Sequence, residues 1–229
     1  MPGDRRRQNR TVVSSPSPLV PAFPANATLT TRVHDALENA IITGELKPGE
    51  RIHADVLAAQ FGMSRIPVRE ALRSLHEAGW VDIKPRHGVH VRERTAEELD
   101  ELFEFRAVVE GMVARWAALR RTDADLDALA ARIEENREAG DEPATGAGFY
   151  AALRAAAKNS VLATTSAALE KRARFYFSTV EHQLGEDWRH VHEAVLDHVR
   201  AQDADAADRV AHKHIEDTGK AVAALLFDR

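Results

Sequence analysis

Three places in the chain carry side chains whose types and spacing could do chemistry. The first is Ser64-Arg65, with Arg69 one helical turn later. An arginine fork can donate two parallel hydrogen bonds to guanine O6 and N7. A helix N-terminus beside a serine suits phosphate oxygens. The second is Arg86-His87-Gly88, a basic turn small enough to enter a minor groove. The third is the back half, with His190, His192, His198, His212 and His214 near its end and Arg106 near its start. Imidazoles hold metals or hydrogen-bond to acids. A guanidinium buried in a helical bundle needs an anion, because it cannot shed its proton. Its partner there is either an acidic effector or a neighbouring Glu104 or Glu110.

Other chemistries lack their parts. The chain has no cysteine, which removes thiol nucleophiles, disulfides and thiolate metal sites. It has no G-x-S-x-G elbow, no H-E-x-x-H pair and no glycine-rich phosphate loop. An enzyme, such as a metal-assisted hydrolase with a DNA-binding appendage, would rest on the histidines alone. The expectation is that the chain is not an enzyme.

The elements that must position these residues follow from pattern. Residues 1–28 read as a disordered tail, with Arg5, Arg6 and Arg7 followed by Ser14, Pro16, Pro18, Pro21 and Pro24. A DNA-touching arm is the other reading of that basic start. No sustained apolar stretch follows it, so it does not read as a signal peptide. From Thr30 or Thr31, the expected caps, Val33, Leu37, Ala40 and Ile41 form one helix face. Gly44 ends that helix, and Lys47-Pro48-Gly49-Glu50 turns. A second helix runs from Ala54 to Phe61 and stops at Gly62. Ser64 is the expected cap of a third, with Pro67 in its first turn, where a missing N–H costs little. Val68, Leu72 and Leu75 are its buried stripe, and Gly79 ends it. Trp80-Val81-Asp82-Ile83 and Val89-His90-Val91 alternate about a turn and predict a β-hairpin.

The remainder reads as helical. Thr95 caps a run with Leu99, Leu102, Phe103, Val109 and Val113. Thr122 or Asp123 opens the next, residues 140–148 break the pattern, and further helices are expected over 149–158, 160–182, 187–201 and 203–226. The fold class is mainly α: a winged helix-turn-helix over 29–94, then an all-α antiparallel bundle over 95–229.

Composition fits this plan. The chain has 229 residues, 44% hydrophobic and 29% charged, with a net charge of −5. That is an ordinary globular chain, neither a fibre nor wholly disordered. No apolar run approaches the roughly 18 residues of a membrane helix, so no membrane partner is expected. A reducing cytoplasm fits the missing cysteine. Residues 1–94 carry 14 Lys and Arg against 10 Asp and Glu, and the rest carry 17 against 26. The front is basic and the back acidic, which suggests separate roles.

The front residues carry a recognisable signature. Leu46-Lys47-Pro48-Gly49-Glu50-Arg51-Ile52, Leu57-Ala58, the run from Phe61 to Leu75 with Ser64-Arg65-Ile66-Pro67-Val68-Arg69-Glu70-Ala71-Leu72 at its heart, Ala78-Gly79-Trp80-Val81 and Arg86-His87-Gly88-Val89 resemble the N-terminal domain of GntR-family bacterial transcription regulators. The resemblance implies that Arg65 and Arg69 touch DNA from the recognition helix and that His87-Gly88 forms the wing tip. With them the expected DNA-binding set is Ser64, Arg65, Pro67, Arg69, Arg73, Arg86, His87 and Gly88, of which Arg73 is equally open to a structural role. Arg51 is ambiguous in the same way. Val56 stands where some relatives have an arginine.

The back half resembles the FCD domain of the FadR branch of that family. Its anchors are Glu104-Phe105-Arg106 with Glu110, Asn159-Ser160-Val161-Leu162, His192-Glu193-Ala194-Val195, and Asp203, Ala207 and His214-Ile215. The resemblance implies a bundle that binds a small organic acid and dimerises. It also implies a divalent metal, zinc or nickel, on one Asp or Asn and three His. Here the chain departs from the pattern. Tyr150 replaces a histidine, and Gly146 stands where a carboxylate is expected. Only His192 and His214 remain as metal ligands, and zinc normally takes three or four. The expected site is therefore degenerate, and Arg106, Tyr150, His192 and His214 are the expected effector-binding residues. Two readings stay open: a homodimeric regulator, by preference a repressor, whose grip on a double-stranded operator responds to the acid, and a constitutive regulator with a decayed pocket.

Overall fold

The computed structural model describes residues 28–138, 147–184 and 188–227. The expected tail lies outside these residues except for Thr28, as do Gly146, Gly185 and most of the expected break.

Helix α1 (Leu29–Ile42) starts at Thr28, whose hydroxyl accepts from the Thr31 amide at 3.1 Å. The cap thus lies before both expected positions, Thr30 and Thr31. Thr30 instead donates to the Glu70 carboxylate on the third helix. Strand β1 (Arg51–Ile52) leads into α2 (Ala54–Gln60) and α3 (Arg65–Glu77). Ser64 holds the N-cap position of α3 in extended backbone, but its hydroxyl makes no capping bond, contrary to expectation. Val33, Leu37 and Ile41 of α1 meet Val68, Leu72 and Leu75 of α3 in a closed core.

The wing is a three-stranded antiparallel sheet, not a bare hairpin. Strand β3 (Gly88–Val91) lies between β1 and β2 (Val81–Lys84), with Arg51 opposite His90 and Asp82 opposite His90 on the other side. A two-residue strand is too short to show alternation, so β1 left no signal in the sequence. His76 at the end of α3 bonds through Nδ1 to the Val81 carbonyl at 2.8 Å and ties the helix to the wing.

The second unit is a helical bundle around α4 (Ala96–Arg120). Thr95 caps it, its hydroxyl accepting from the Glu98 amide at 3.2 Å. Helices α5 (Asp123–Glu138), α6 (Ala147–Ala156), α7 (Ser160–Phe177), α8 (Trp188–Arg200) and α9 (Ala204–Phe227) follow. Thr122 and Asp125 cap α5 reciprocally through each other's amides. Asn159 caps α7. Helix α9 runs antiparallel along α4: Gly219 lies against Phe103, and Asp208 against Gly111. A Cβ on Gly219 would sit 2.7 Å from that of Phe103, so only glycine permits this approach.

The helix expected over 160–182 is shorter. It ends at Phe177, and a 3-10 turn covers Glu181–Gln183. Thr179 accepts from the Arg94 guanidinium at 2.8 Å and Val180 is buried, so the chain turns to meet both. β-Branched residues favour that outcome over continued helix.

The two units touch through α7. The Trp80 ring meets Phe175 edge-on, with centroids 6.0 Å apart. Arg172 donates to the Ala78 carbonyl, and Lys171 pairs with Glu38 of α1 at 2.9 Å. The Phe175-Tyr176-Phe177 cluster is thus buried core, with Phe175 at this joint.

Candidate nucleic-acid interface and buried polar centre

The front surface is built by α3 and the wing. Burial of Val68, Ala71, Leu72 and Leu75 turns the opposite face of α3 outward, and Arg65, Arg69 and Arg73 are all exposed on it. Arg65 is held by Asp55 of α2, Nε to Oδ1 at 2.8 Å. Pro67 is half-buried in the first turn. With its hydroxyl not spent on the cap, the exposed Ser64 side chain can bond a phosphate together with the free amides of the first turn. Val56 is exposed on α2, where an arginine would have reached outward.

At the wing tip, Arg86 has φ of 64° and Gly88 of 92°, so the turn folds back tightly. Arg86 and His87 are exposed. Arg51 packs its guanidinium over Gly88, where a Cβ would come within 3.2 Å of its Nε. Its role was ambiguous in the sequence. The structure adds it to the basic wing tip, and the missed β1 pairing is what places it there.

The back half holds a buried polar centre on α4, α6, α7, α8 and α9. Arg106 is 4% exposed, Glu110 0% and His192 1%. Arg106 Nε lies 3.8 Å from Glu110 Oε1, too long for a hydrogen bond, and Nε makes none. Glu110 Oε1 accepts instead from Ser166 at 2.7 Å, while Oε2 has no hydrogen-bond partner. Arg154 donates to both Ser166 and Glu170, the latter at 2.6 Å. Of the two expected partners of Arg106, Glu104 is exposed and Glu110 is the ion-pair partner.

The four expected effector residues come together. The Arg106 guanidinium lies 5.6 Å from the Tyr150 ring centroid. Tyr150 meets His192 edge-on at 5.4 Å, and His192 meets His214 at 5.7 Å. Phe149 stacks flat on His192 at 4.2 Å. His190 and His212 are far less buried, each near a glutamate on its own helix. Arg154, Ser166 and Glu170 were not foreseen.

Burial sets the charge states. It pushes the His192 imidazole down to about 3, aided by His214. It pushes His214 down to about 4, aided by Arg106. Burial also raises the Glu110 carboxyl against the pull of Arg106, and raises the Tyr150 hydroxyl. Both imidazoles are therefore neutral near pH 7, and Tyr150 keeps its proton.

A divalent metal does not fit this centre. Two imidazoles are too few, the phenol resists ionisation, and a guanidinium faces the same space. Among the described residues, His34, Asp35 and Glu38 on α1 bring three potential ligand atoms together, but Glu38 already holds Lys171.

Known proteins agree with this plan. Residues 29–91 match the family model for bacterial regulatory proteins of the gntR family, and residues 101–217 match that for the FCD domain. The chain is 31% identical to the Nta operon transcriptional regulator of Aminobacter aminovorans, over 76% of this chain and 87% of that one. It is 27% identical to the galactonate operon transcriptional repressor of Escherichia coli, over 80% and 91%. The match to regulator YdhC of Bacillus subtilis, 33% identical, spans only 46% of this chain and 47% of that protein. A GntR transcriptional regulator from Rhodococcus sp. RHA1 superposes with a TM-score of 0.70 at 27% identity, covering 84% of this chain and 96% of that one. Each of these relatives is named a transcriptional regulator or repressor. Two family models in tandem, together with these relatives, make the chain a member of the GntR family of bacterial transcription regulators, in its FadR-type branch with an FCD domain.

Proposed function

We propose that the protein is a ligand-responsive repressor whose operator affinity is set by a small carboxylic acid bound at the buried polar centre. One observation carries the ligand half: Arg106 is nearly inaccessible to solvent, yet its Nε makes no hydrogen bond. A carboxylate would complete it through a bidentate pair. Glu110 Oε1 accepts from Ser166 and stays 3.8 Å from the Arg106 Nε, so the guanidinium keeps donors for the incoming acid. Neutral His192 and His214 and the protonated Tyr150 hydroxyl supply further hydrogen bonds. No metal takes part in this reading.

The DNA half assigns base contacts to Arg65 and Arg69. Ser64, Pro67 and Arg73 lie along the backbone, and Arg86, His87 and Gly88 enter the adjacent groove. A homodimer presents two such readers to half-sites about 34–36 Å apart. Such a protein works where the chromosome is, in the cytoplasm, and no described helix is long and apolar enough to cross a membrane.

Helix α7 supports coupling between the halves. Ser166 and Glu170 face the polar centre, while Arg172 and Phe175, within two turns of Glu170, hold Ala78 and Trp80 of the reader. A ligand that binds two arrangements of α7 unequally would shift the reader's orientation.

The test is a thermal-shift panel of small mono- and dicarboxylic acids, with and without chelator, followed by operator titrations with any acid that binds. A chelator-insensitive shift that changes operator affinity is expected. The flat stack of Phe149 on His192 favours a second reading, a filled pocket in a constitutive regulator. It predicts operator affinity indifferent to every acid, and a metal-dependent shift would refute the metal-free centre.

A further inference from the structure

The outward face of α3 is not purely basic. Ile66 stands on it 68% exposed, directly after Arg65. At about 100° per residue, Ile66 points within roughly 20° of the direction opposite the buried stripe of Val68, Ala71, Leu72 and Leu75. Its neighbours on that face, three, four and seven residues on, are Arg69, Glu70 and Arg73, all exposed. Ile66 is thus an apolar side chain at the middle of a charged surface. It lies in the first turn, the part of a recognition helix that meets base edges.

The fold gains little from an isoleucine there. Most of its surface stays in water, and a β-branched residue is a poorer helix former than alanine. The acidic groups near it are engaged: Asp55 holds Arg65, and Glu70 accepts from Thr30. Arg65, Arg69 and Arg73 around one apolar side chain make a surface for a polyanion, not an apolar docking patch. On double-stranded DNA the apolar feature of the major groove is the C5-methyl group of thymine. Against a phosphate, the same side chain would strip water from a charge and offer no bond in return.

We infer that Ile66 reads the C5-methyl group of an operator thymine and is a specificity-determining residue beside Arg65 and Arg69. The inference rests on the DNA half of the proposed function and adds to it the identity of one base. The two kinds of contact are complementary. An arginine fork selects guanine by its two acceptors, whereas a methyl contact separates thymine from cytosine, which carries no methyl at C5. Ile66 lies about 4.5 Å from Arg69 along the helix axis, rather more than one base step. The thymine is therefore expected about one or two steps from the base that Arg69 reads. Branching at Cβ leaves Ile66 few rotamers to lose on contact. Val56, 52% exposed on α2, does not share the role, because the helix before the reader crosses the backbone rather than entering the groove.

The probe is the duplex that the full-length chain selects from a pool of random sequences. Each thymine in it is replaced in turn by uracil, which removes the methyl group and keeps the pairing groups. At one thymine in each half-site, loss of the methyl should weaken binding about fourfold per half-site, as expected for one buried carbon. Ile66→Ala should bind the thymine duplex more weakly than the parent does, and should bind the uracil duplex as well as the thymine one. Its melting temperature should be unchanged or higher, since alanine is the better helix former. Arg65→Ala loses a different contact and should keep the uracil penalty. Uracil penalties that all persist in full in Ile66→Ala overturn the assignment, as does a selected duplex in which no thymine methyl matters. A pool from which no sequence is selected overturns the DNA reading itself, and the role of Ile66 with it.

Discussion

Arg65 enters the candidate interface already oriented, because Asp55 holds its Nε. Arg65→Ala is expected to cost about 1–3 kcal/mol on the operator and to relax discrimination at one base. Asp55→Ala should do the reverse to raw affinity. It removes a carboxylate from beside the phosphates while freeing the fork, so binding to a scrambled duplex rises and discrimination falls. Titrations of both duplexes at fixed salt check the pair. In the buried centre, Arg106→Ala strands a carboxylate that has no access to solvent, a loss of about 3–5 kcal/mol. Adding Glu110→Gln should restore part of it, as read by the midpoint of urea unfolding. The two imidazoles make a pH prediction. His192 and His214 sit near 3 and 4 when folded but titrate near 6.5 in an unfolded chain. Between about 6.5 and 4 the unfolded chain binds protons that the folded one refuses, so stability falls as pH falls, by up to about 1.4 kcal/mol per unit for each. Glu110, raised when folded, works the opposite way just above the ordinary carboxylate range. His192→Gln with His214→Gln should flatten the melting temperature between pH 4 and 7. The members of the centre were unequally legible. Arg106, His192 and His214 stand in family patterns. Arg154, Ser166 and Glu170 become visible only when α6, α7 and α4 meet, through bonds between residues 12, 16 and 56 positions apart.

Among the elements, the helix ends divide along physical lines. Thr95 signalled its cap because a capping side chain reaches only to its own first turn, whereas the Asn159 cap emerged only in the structure. Thr28 was hidden among three nearby threonines, Thr28, Thr30 and Thr31, of which one caps and another bonds Glu70 of α3. The premature end of α7 was not readable, because Arg94, which bonds Thr179, is 85 residues away. Gly79 was legible as a stop but not as a contact. Its φ of 76° favours glycine, and a Cβ there would meet the Arg172 guanidinium at 2.9 Å. Gly79→Ala is therefore expected to destabilise the joint by about 1 kcal/mol or more. The check is a shift in urea midpoint, with a smaller but remaining cost in a chain already carrying Arg172→Ala, because the positive φ persists.

At the scale of the whole molecule, the reader's orientation depends on what α7 offers it. Phe175→Ala removes the ring against Trp80 but leaves the polar centre intact. Acid affinity should survive in that variant while the acid's effect on operator affinity shrinks. Calorimetry and operator titration on the same preparation separate these outcomes. The fold class was readable because helical stripes and turn residues repeat within short windows. The joint was not, because it joins segments nearly a hundred residues apart. Trp80 also gives that joint an optical signature. Its indole is 5% exposed, set edge-on to one ring and beneath a guanidinium 5.4 Å away. Its emission should shift to the red when water reaches it, so any swing of the reader away from α7 would be visible as colour, without a label, in a stopped-flow cell.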